Sequence, residues 1–389
     1  MRRHDYPNVY PPLRPEDARE LKQRKVLLID RHVAEEVLEP ETCLAILEKA
    51  YKEEGMGSAV NRTKANILVP TPDPNTWYRY CSMEGGIRGL EVAAIRIKSD
   101  MVSHYSPFGK ARVDWQCGFP GRFFGLILLF SAKDGTLLAM LHDGHIQHMR
   151  VAATVTLATR HMARQDSRVL AILGSGGMAW THAFFLSMVR NIQKIRVYSP
   201  NPEHRKRFAQ QVQEALEIET VATDEPRAAV QGSDIVAVCT NAAEPALLGE
   251  WLEKGMHLII TKPSGVEMDE TGWRRLDKYV VYESPPGVQG SPSETRWTAP
   301  PDWRFAGGTT GELMEQRRTL IGSKKIDTLP DLLLGRVTGR DSEEQITATC
   351  NEGTGVQFAA VALKVYEEAK ARGLGREMPL DWFLQDVTN

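Results

Sequence analysis

The chain has 389 residues and a formal net charge of −2 at pH 7, and 42% of its residues are hydrophobic and 25% charged. These values are typical of a globular protein of two domains, and they give no support for a nucleic-acid partner or an anionic membrane surface. No apolar run is long enough to span a membrane, we expect no secretory signal, and five cysteines without CxxC spacing favour a reducing cytoplasm.

The first part of the chain is predicted to form a sheet that precedes a nucleotide-binding domain. Residues 1–24 are rich in proline and charge and are interpreted as an extension. The predicted strands are short apolar runs at 26–29, 67–69, 77–82, 90–98 and 123–130, and a helix is predicted over 41–52. Asp134-Gly135 indicates a hairpin between 126–130 and 137–141, and an alanine-rich helix is predicted over 150–163.

A glycine turn at residue 174 is the most informative motif. An apolar run over 169–173 predicts a buried parallel strand, and it leads into Gly174-x-Gly176-x-x-Ala179 and a helical pattern from 178 to about 190. Strand, turn and helix start together indicate dinucleotide binding, because the helix N-terminus offers N–H groups to a pyrophosphate. The candidate cofactor residues are Gly174, Ser175, Gly176, Gly177 and Met178, and the alternative is a glycine turn that binds nothing.

Strands and helices then alternate regularly. Strands are predicted at 195–198, 235–239, 257–260 and 279–282, and helices at 202–215, where Asn201 is a candidate cap, and at 267–276. This order predicts a Rossmann-type, doubly wound parallel sheet from about 165 to 310. The Pro-, Gly- and Trp-rich residues 283–310 form a long loop, and a last helix over 356–371 is expected to return to the first domain.

Several motifs follow one another in a specific order. They are Asp143-Gly-His-Ile-Gln-His-Met-Arg150-Val-Ala-Ala, the Gly174 turn, Gly232-Ser-Asp-Ile-Val, Pro245, Trp251-Leu-Glu-Lys-Gly-Met-His, and the run from Val365 to Gly375. This order resembles the ornithine cyclodeaminase/mu-crystallin family over about 25–375. The resemblance implies a Rossmann-type domain (150–324) and a second α/β domain (25–149 and 325–389) that binds substrate and forms a homodimer or a higher homo-oligomer.

The resemblance also implies substrate residues. Arg150 matches an arginine that grips the substrate carboxylate, which suits a guanidinium with two parallel donors, although a surface pair with Asp143 is the alternative. Arg62 matches a second carboxylate-binding arginine, with an exposed loop residue as the alternative. Arg96 aligns with a lysine that contacts substrate, and Lys98 lies on the same strand face. His148 is a further candidate for the substrate cleft.

The chain departs from the family after the strand at 257–260. Cyclodeaminases carry an aspartate there, whereas this chain reads Thr261-Lys-Pro-Ser-Gly265. Lys262 is the ionisable group at this strand end, which faces the crevice of a parallel sheet. A desolvated lysine can serve as a proton donor, so Lys262 or Lys98 is the candidate catalytic residue, and a phosphate contact or a surface position is the alternative for Lys262.

Cofactor choice is read at the end of the second strand of the dinucleotide-binding unit. An acid there would bind the ribose 2′-hydroxyl of NAD, but none directly follows Val197. Ser199, Asn201 and Arg205 are candidates for a 2′-phosphate, so the sequence favours NADP with NAD as the alternative. Thr240 is placed beside the nicotinamide ribose by position.

We expect no metal site. His142, His145 and His148 repeat every third residue, but they have no carboxylate or cysteine at ligand spacing, and the segment is interpreted as a hairpin end. Asn351 and Glu352, before the last helix, are substrate-site candidates by position.

The leading functional hypothesis is an NAD(P)-dependent reductase or dehydrogenase of a small, carboxylate-bearing α-imino, α-amino or α-keto acid. The alternatives are a cyclodeaminase of an amino acid such as ornithine, which recycles its nicotinamide, and a protein that binds NADP and a small ligand without turnover.

Overall fold

The strands of the protein form two sheets. A computed structural model describes residues 14–62, 64–105, 112–119, 121–261, 266–282, 310–322, 326–351 and 353–385. Its first elements are α1 (Pro15–Gln23), β1 (Lys25–Ile29), α2 (Arg31–Val37), α3 (Pro40–Gly55), β2 (Ala59–Asn61), β3 (Ala65–Pro70), β4 (Thr76–Ile87), β5 (Val92–Tyr105), β6 (Arg112–Gln116), β7 (Phe124–Ser131), β8 (Leu137–His142) and α4 (Gly144–Met162).

The later elements alternate between strands and helices. They are β9 (Val169–Leu173), α5 (Gly177–Val189), β10 (Lys194–Tyr198), α6 (Pro202–Leu216), β11 (Glu219–Ala222), α7 (Pro226–Val230), β12 (Ile235–Val238), β13 (His257–Ile260), α8 (Glu270–Arg274), β14 (Lys278–Val281), α9 (Thr310–Ile321), β15 (Ile326–Thr328), α10 (Leu329–Leu333), β16 (Thr347–Cys350), α11 (Gly355–Ala371) and β17 (Arg376–Pro379).

The first sheet has the strand order β17-β1-β8-β7-β5-β4-β2, with β3 paired to β4 and β6 paired to β5. Its pairs are antiparallel except β1 with β8. The predicted hairpin is confirmed as β7–β8, where Gly135 has φ +75° and the Asp134 carboxylate accepts a hydrogen bond from the backbone of Thr136. Such local turn chemistry is readable from sequence because it involves neighbouring residues.

Helix α11 packs against β4 and β5 and is buried along most of its length. Thr354 and Gln357 cap its N-terminus reciprocally, which satisfies donors that a helix start leaves unpaired. The approach to the sheet is very close, because a Cβ at Gly355 would lie 2.0 Å from the nitrogen of Gly85. The predicted return of the last helix to the first domain is thereby confirmed.

The second sheet has eight strands in the order β11-β10-β9-β12-β13-β16-β14-β15, all parallel. Its inner strands are almost entirely apolar and buried, as expected for a parallel sheet covered on both faces. The strand order reverses between β9 and β12, and in such sheets the ligand crevice lies at the carboxyl ends of the strands at this reversal. The predicted doubly wound sheet is confirmed.

Two predicted boundaries differ from the structure. The alanine-rich helix begins at Gly144 rather than at 150, because the backbone of Gln147 already donates to the carbonyl of Asp143. The parallel sheet continues beyond residue 324 with β15 and β16, so it does not end where the predicted domain does. Strand β16 was not predicted because threonines at 347 and 349 interrupt its apolar run. In the structure, the Thr349 hydroxyl donates a hydrogen bond to the carbonyl of Val280.

Candidate active site

The glycine turn joins β9 to α5 at the carboxyl end of the parallel sheet. Gly174 has φ +133°, and a Cβ there would lie 2.2 Å from the carbonyl oxygen of Cys239, so only glycine fits. A Cβ at Gly176 would meet no atom of the described residues within 4 Å, and no side chain caps the helix that follows. Open space beside uncapped N–H groups suits the pyrophosphate of a dinucleotide.

Two further side chains lie against this turn. The Ser175 hydroxyl donates to the Ser199 hydroxyl at 3.0 Å, which joins the turn to the end of β10. His148, on α4, packs against Gly177, since a Cβ on that glycine would lie 3.0 Å from its Cε1 atom. His148 was predicted for the substrate cleft, and the structure places it against the glycine turn.

The residues proposed for a 2′-phosphate have partners within the protein. Asn201 caps α6 by accepting from the backbone of Glu203 and His204. Arg205 is buried, donates to the carbonyl of Ser199 at 3.1 Å and pairs with Asp224 at 2.5 Å. These contacts organise the strand end, where the ribose of a dinucleotide would lie.

After β12, the chain links the two sheets. The Thr240 hydroxyl accepts from the backbone of Ala242 at 3.1 Å, and Asn241 Nδ2 donates to Asp114 Oδ1 on β6 at 3.4 Å. The carboxyl end of β12 is therefore next to the arm formed by β4, β5 and β6.

Two buried arginines lie on one aromatic ring. The guanidinium carbons of Arg96 and Arg150 are 5.0 and 4.8 Å from the ring centroid of Phe358 on α11. Arg96 is bound by Asp143, whose Oδ2 accepts from its Nε at 3.0 Å and its Nη2 at 2.5 Å. Asp143 was the alternative partner predicted for Arg150, and the structure assigns it to Arg96 instead.

Arg150 is 2% exposed, and its side-chain hydrogen bonds to the described residues go to neutral amides, Gln147 Oε1 and Gln357 Oε1, each at 2.6 Å. Its Nε is buried and has no hydrogen-bond partner among the described residues. Burial, aided by the charge of Arg96, lowers the pKa of Arg150 to about 9. A guanidinium desolvated in this way is stabilised by an anion, and a carboxylate matches its paired donors.

Lys98 lies two residues beyond Arg96 on the same face of β5. Its ammonium is 3.1 Å from Asp100 Oδ2 and 5.4 Å from the ring centroid of Phe123. Burial lowers the pKa of Lys98 to about 8 despite the opposing attraction of Asp100. Such a pKa is suited to a group that donates a proton near neutral pH.

Arg62 is the exposed arginine among the predicted substrate residues. Its side chain is 54% exposed, and Nη1 is 3.5 Å from Glu84 Oε1. The other Glu84 oxygen, Oε2, is buried and has no hydrogen-bond partner among the described residues. A carboxylate oxygen in this state can accept from a substrate amine or imine nitrogen.

Several residues of the site were not predicted from the sequence: Glu84, Asp100, Gln357 and Phe358. Asp100 could have been found, because it continues the alternation of Arg96 and Lys98 along one strand face. Gln357 could not, since it reaches Arg150 from 207 residues away. Asn351, a candidate by position, accepts from Gln357 Nε2 at 3.0 Å and so supports this cluster.

Lys262, Glu352 and the loop at 283–309 lie outside the described residues. His145 and His148 belong to α4 and not to a hairpin end, which corrects the interpretation of the histidine repeat. Among the described residues, no group of three or more His, Cys, Asp or Glu side chains could hold a metal ion. In the part of the chain that the structure describes, no helix is long and apolar enough to cross a membrane.

The family model of the ornithine cyclodeaminase/mu-crystallin family matches residues 117–373, which is more than half of the chain. The chain belongs to this family. Within it, the chain is similar to an uncharacterized cyclodeaminase of Sinorhizobium fredii, with 28% identity over 254 residues that cover 64% of the chain and 72% of the relative. It is also similar to a Delta(1)-pyrroline-2-carboxylate reductase of Bacillus cereus, with 26% identity over 325 residues that cover 82% of the chain and 90% of the relative.

A solved structure agrees with the fold. The Delta(1)-pyrroline-2-carboxylate reductase of Thermococcus litoralis, solved in complex with NADH and L-proline, matches with a TM-score of 0.73 at 24% identity. The match covers 91% of this chain and 100% of that chain. The two-sheet architecture described above is therefore the family fold.

Proposed function

We propose that this chain is an NAD(P)-dependent reductase of small α-imino acids that works in the crevice between the glycine turn and the arginines on Phe358. The observation that carries the proposal is Arg150, a buried guanidinium with neutral partners on the helix that leads to the glycine turn. A carboxylate bound there would lie beside the dinucleotide. The relatives include a reductase of a cyclic imino acid, which supports the same chemistry.

We assign carboxylate binding to two arginines and proton donation to Lys98. Arg150 and Arg62 bind the substrate carboxylate, and Asp143 holds Arg96 beside it. A reduced nicotinamide cofactor held at the glycine turn would supply the hydride for the imine carbon. Lys98 donates a proton to the imine nitrogen, so that one C–H and one N–H bond form and the C=N bond becomes single, the two electrons coming from that hydride. An α-keto acid would be reduced in the same manner, with the proton going to oxygen.

The test follows the nicotinamide absorbance of NADH and NADPH with a panel of α-imino and α-keto acids, and of NAD⁺ and NADP⁺ with amino acids. Net cofactor turnover, reduced at least about 100-fold in Arg150→Lys, supports the proposal. Arg160→Lys, on the exposed part of the same helix, is the matched control. Absence of turnover with all substrates would contradict the proposal.

A cyclodeaminase is the second candidate, favoured by the similarity to the Sinorhizobium protein. Its signature is ammonia release from ornithine without net change in the cofactor. We favour net reduction because the residues after β13 read Thr261-Lys-Pro-Ser-Gly265 and offer no carboxylate to accept the amine proton. Tight cofactor binding with neither activity would instead indicate a binding protein.

We infer that the cofactor is NADP. The support is the absence of an acid directly after Val197 and the uncharged cap Asn201 at the start of α6. Asn201→Asp keeps the helix cap, since aspartate caps as well as asparagine, and adds a negative charge. The KM for NADPH should rise several-fold relative to that for NADH, with unchanged thermal stability. A strong preference of the unaltered protein for NADH would contradict the inference.

We infer that two copies associate through the first sheet. Large apolar side chains are exposed on or beside its strands at Val60, Ile67, Val69, Phe119, Phe123 and Phe124. Apolar surface of this kind marks interaction sites. Light scattering should give twice the chain mass, and Ile67→Glu should shift the protein toward the monomer. None of the five cysteines, all of which lie in the described part of the chain, forms a disulfide, and on this ground we propose a reducing cytoplasm.

A further inference from the structure

Strands β4 and β5 carry a row of charged side chains on one face. Arg96, Lys98 and Asp100 alternate along β5, and Arg79 stands directly opposite Asp100 on β4. Alternate residues of a strand share a face and are spaced by about 7 Å. The row therefore begins at the arginines on Phe358 and runs outward along the arm that contacts Asn241.

Charge along this row is unevenly balanced. Arg96 forms a salt bridge with Asp143, which pairs with no other cation among the described residues. Arg79 and Lys98 share one carboxylate, since Asp100 Oδ2 lies 2.6 Å from Arg79 Nη2 and 3.1 Å from Lys98 Nζ. Asp100 is 1% exposed, so this group of two cations and one anion carries a net positive charge away from solvent. Positive charges therefore outnumber negative charges at two places, at Arg150 and at the group formed by Arg79, Lys98 and Asp100.

Arg79 is fixed in position by its neighbours and retains a donor for a second anion. Its guanidinium carbon lies 5.8 Å from the ring centroid of Trp115, and Asp100 fixes one end of the group. Its Nε is buried and has no hydrogen-bond partner among the described residues. A guanidinium fixed by an aromatic ring and one carboxylate loses little freedom when a second carboxylate binds.

We propose that the substrate carries two carboxylates and is an acyclic dicarboxylic α-imino acid, with Arg150 binding the α-carboxylate and Arg79 binding the distal one. This inference rests on the proposed function. Arg96 and Arg150 share the Phe358 ring, and Lys98 is one alternate position, about 7 Å, further along β5. Arg79 stands opposite Asp100 but bends back toward Lys98, because Arg79 Nη2 and Lys98 Nζ lie 2.6 and 3.1 Å from the same Asp100 oxygen. A dicarboxylate of four or five carbons, with a charge-assisted hydrogen bond of about 2.8 Å at each end, is the size that we propose spans from Arg150 to Arg79. Lys98, between them, faces the imine nitrogen.

Arg79 is then the specificity-determining residue. A monocarboxylic substrate leaves the surplus charge at Arg79 and Lys98 without a counter-charge, and a site built around a polar group discriminates against an analogue that lacks it. We expect the kcat/KM for dicarboxylic imines to exceed that for monocarboxylic imines of equal length by at least about 100-fold.

The experiment uses the full chain and imines formed in ammonia buffer from oxaloacetate and 2-oxoglutarate, compared with those from 2-oxobutyrate and 2-oxopentanoate. Arg79→Gln should lower kcat/KM at least about 30-fold for the dicarboxylic pair and less than about 3-fold for the monocarboxylic pair. Arg79→Lys should recover part of the loss. Arg88→Gln, an exposed arginine at the turn between β4 and β5, is the matched control and should change neither.

Binding supplies a readout independent of turnover. Succinate and glutarate should raise the melting temperature of the protein with NADP⁺, whereas butyrate and pentanoate should not, and Arg79→Gln should remove the difference. Equal reduction of both substrate pairs, or equal shifts with both acid pairs, overturns the two-carboxylate proposal and leaves the reductase assignment intact. Arg79-dependent binding of succinate without reduction of any imine supports the second carboxylate site and contradicts the reductase assignment.

Discussion

The buried arginines of this chain differ in what satisfies their charge. Arg96 has a carboxylate, and Arg190 donates to the carbonyl oxygens of five residues: Thr159, Arg160, Ala163, Arg164 and Val189. Arg150 has two amide oxygens instead. Arg190 is therefore a structural residue that joins the end of α4 to α5, whereas Arg150 has no carboxylate partner among the described residues.

This contrast gives a paired prediction. Arg150→Met should leave the free energy of unfolding unchanged or raise it by about 1 kcal/mol, because an unneutralised buried charge is lost, while kcat/KM falls at least about 100-fold. Arg190→Met should lower the free energy of unfolding by about 3 kcal/mol, because several carbonyl groups lose their donor. Urea unfolding measures both. A large destabilisation by Arg150→Met would mean that Arg150 is a structural residue.

Lys98 predicts the pH dependence of catalysis. With a pKa lowered to about 8, its ammonium is present below that pH and lost above it. The kcat/KM for imine reduction should therefore fall as pH rises through about 8, and the reverse oxidation should increase. Lys98→Met should remove this alkaline limb and lower kcat by about 100-fold or more. If the limb persists in Lys98→Met and disappears in Lys262→Met, the proton donor is Lys262.

Residue identities in the site were only partly readable from the sequence. Arg62, Arg96, Lys98 and Arg150 could be named because motif order and strand alternation are local patterns. The pairing of Arg96 with Asp143 and the shared ring of Phe358 depend on the packing of α4 and α11 against the sheet. No spacing in the sequence encodes those contacts.

At the scale of elements, the two glycines of the turn have different roles: we expect Gly174 to be required for stability and Gly176 for cofactor binding. Gly174→Ala should destabilise the protein by more than about 2 kcal/mol, because φ is +133° and Cys239 leaves no space for a Cβ. Gly176→Ala should leave the melting temperature nearly unchanged, because its φ is −98° and the Cβ position is open, yet raise the Kd for NADPH at least about 10-fold. Thermal denaturation and a fluorescence titration measure these effects. Equal cofactor affinity in Gly176→Ala would place the pyrophosphate elsewhere.

Elements with strong local signals were predicted well, and those defined by tertiary contacts were not. The β9–turn–α5 unit and the Asn201 cap were found because apolar periodicity and turn chemistry mark them. The first turns of α4 contain His145, Gln147 and His148, whose polarity hides a helix that is buried by its neighbours. β15 was missed because its three residues carry little periodicity, and β16 because two threonines interrupt its apolar run.

At the scale of the molecule, a buried polar network ties four elements together. Glu54 at the end of α3 accepts from Asn61 Nδ2 and from the Tyr282 hydroxyl, each at 2.6 Å, and the Thr354 hydroxyl donates to Tyr282 at 3.0 Å. Asn61 Oδ1 also accepts from the backbone of Val356 at 2.7 Å. The network thus connects α3, β2, the end of β14 and the start of α11.

Burial raises the pKa of Glu54 from its ordinary 4.5 to about 7. Its contribution to stability is therefore complete below about pH 4.5 and is lost as pH rises through 7, by up to about 3 kcal/mol. Glu54→Gln should make the free energy of unfolding less dependent on pH between 5 and 8. Glu36→Gln, an exposed carboxylate on α2, should behave as the unaltered protein does. Urea unfolding at pH 5 and pH 8 measures this difference. If the free energy of unfolding of Glu54→Gln depends on pH as strongly as that of the unaltered protein, Glu54 is ionised in the folded state.

The position of β16 has a consequence for how this chain is made. It lies between β13 and β14, although it is synthesised long after both. Until Thr347–Cys350 leaves the ribosome, β13 and β14 each present an unpaired edge, and such edges bind other strands. The parallel sheet therefore cannot complete its folding before β16 is synthesised. A chain truncated near residue 324 would form an intermediate that is prone to aggregation. Residues 347–371 therefore complete the parallel sheet and, through Phe358 on α11, supply the ring on which Arg96 and Arg150 lie.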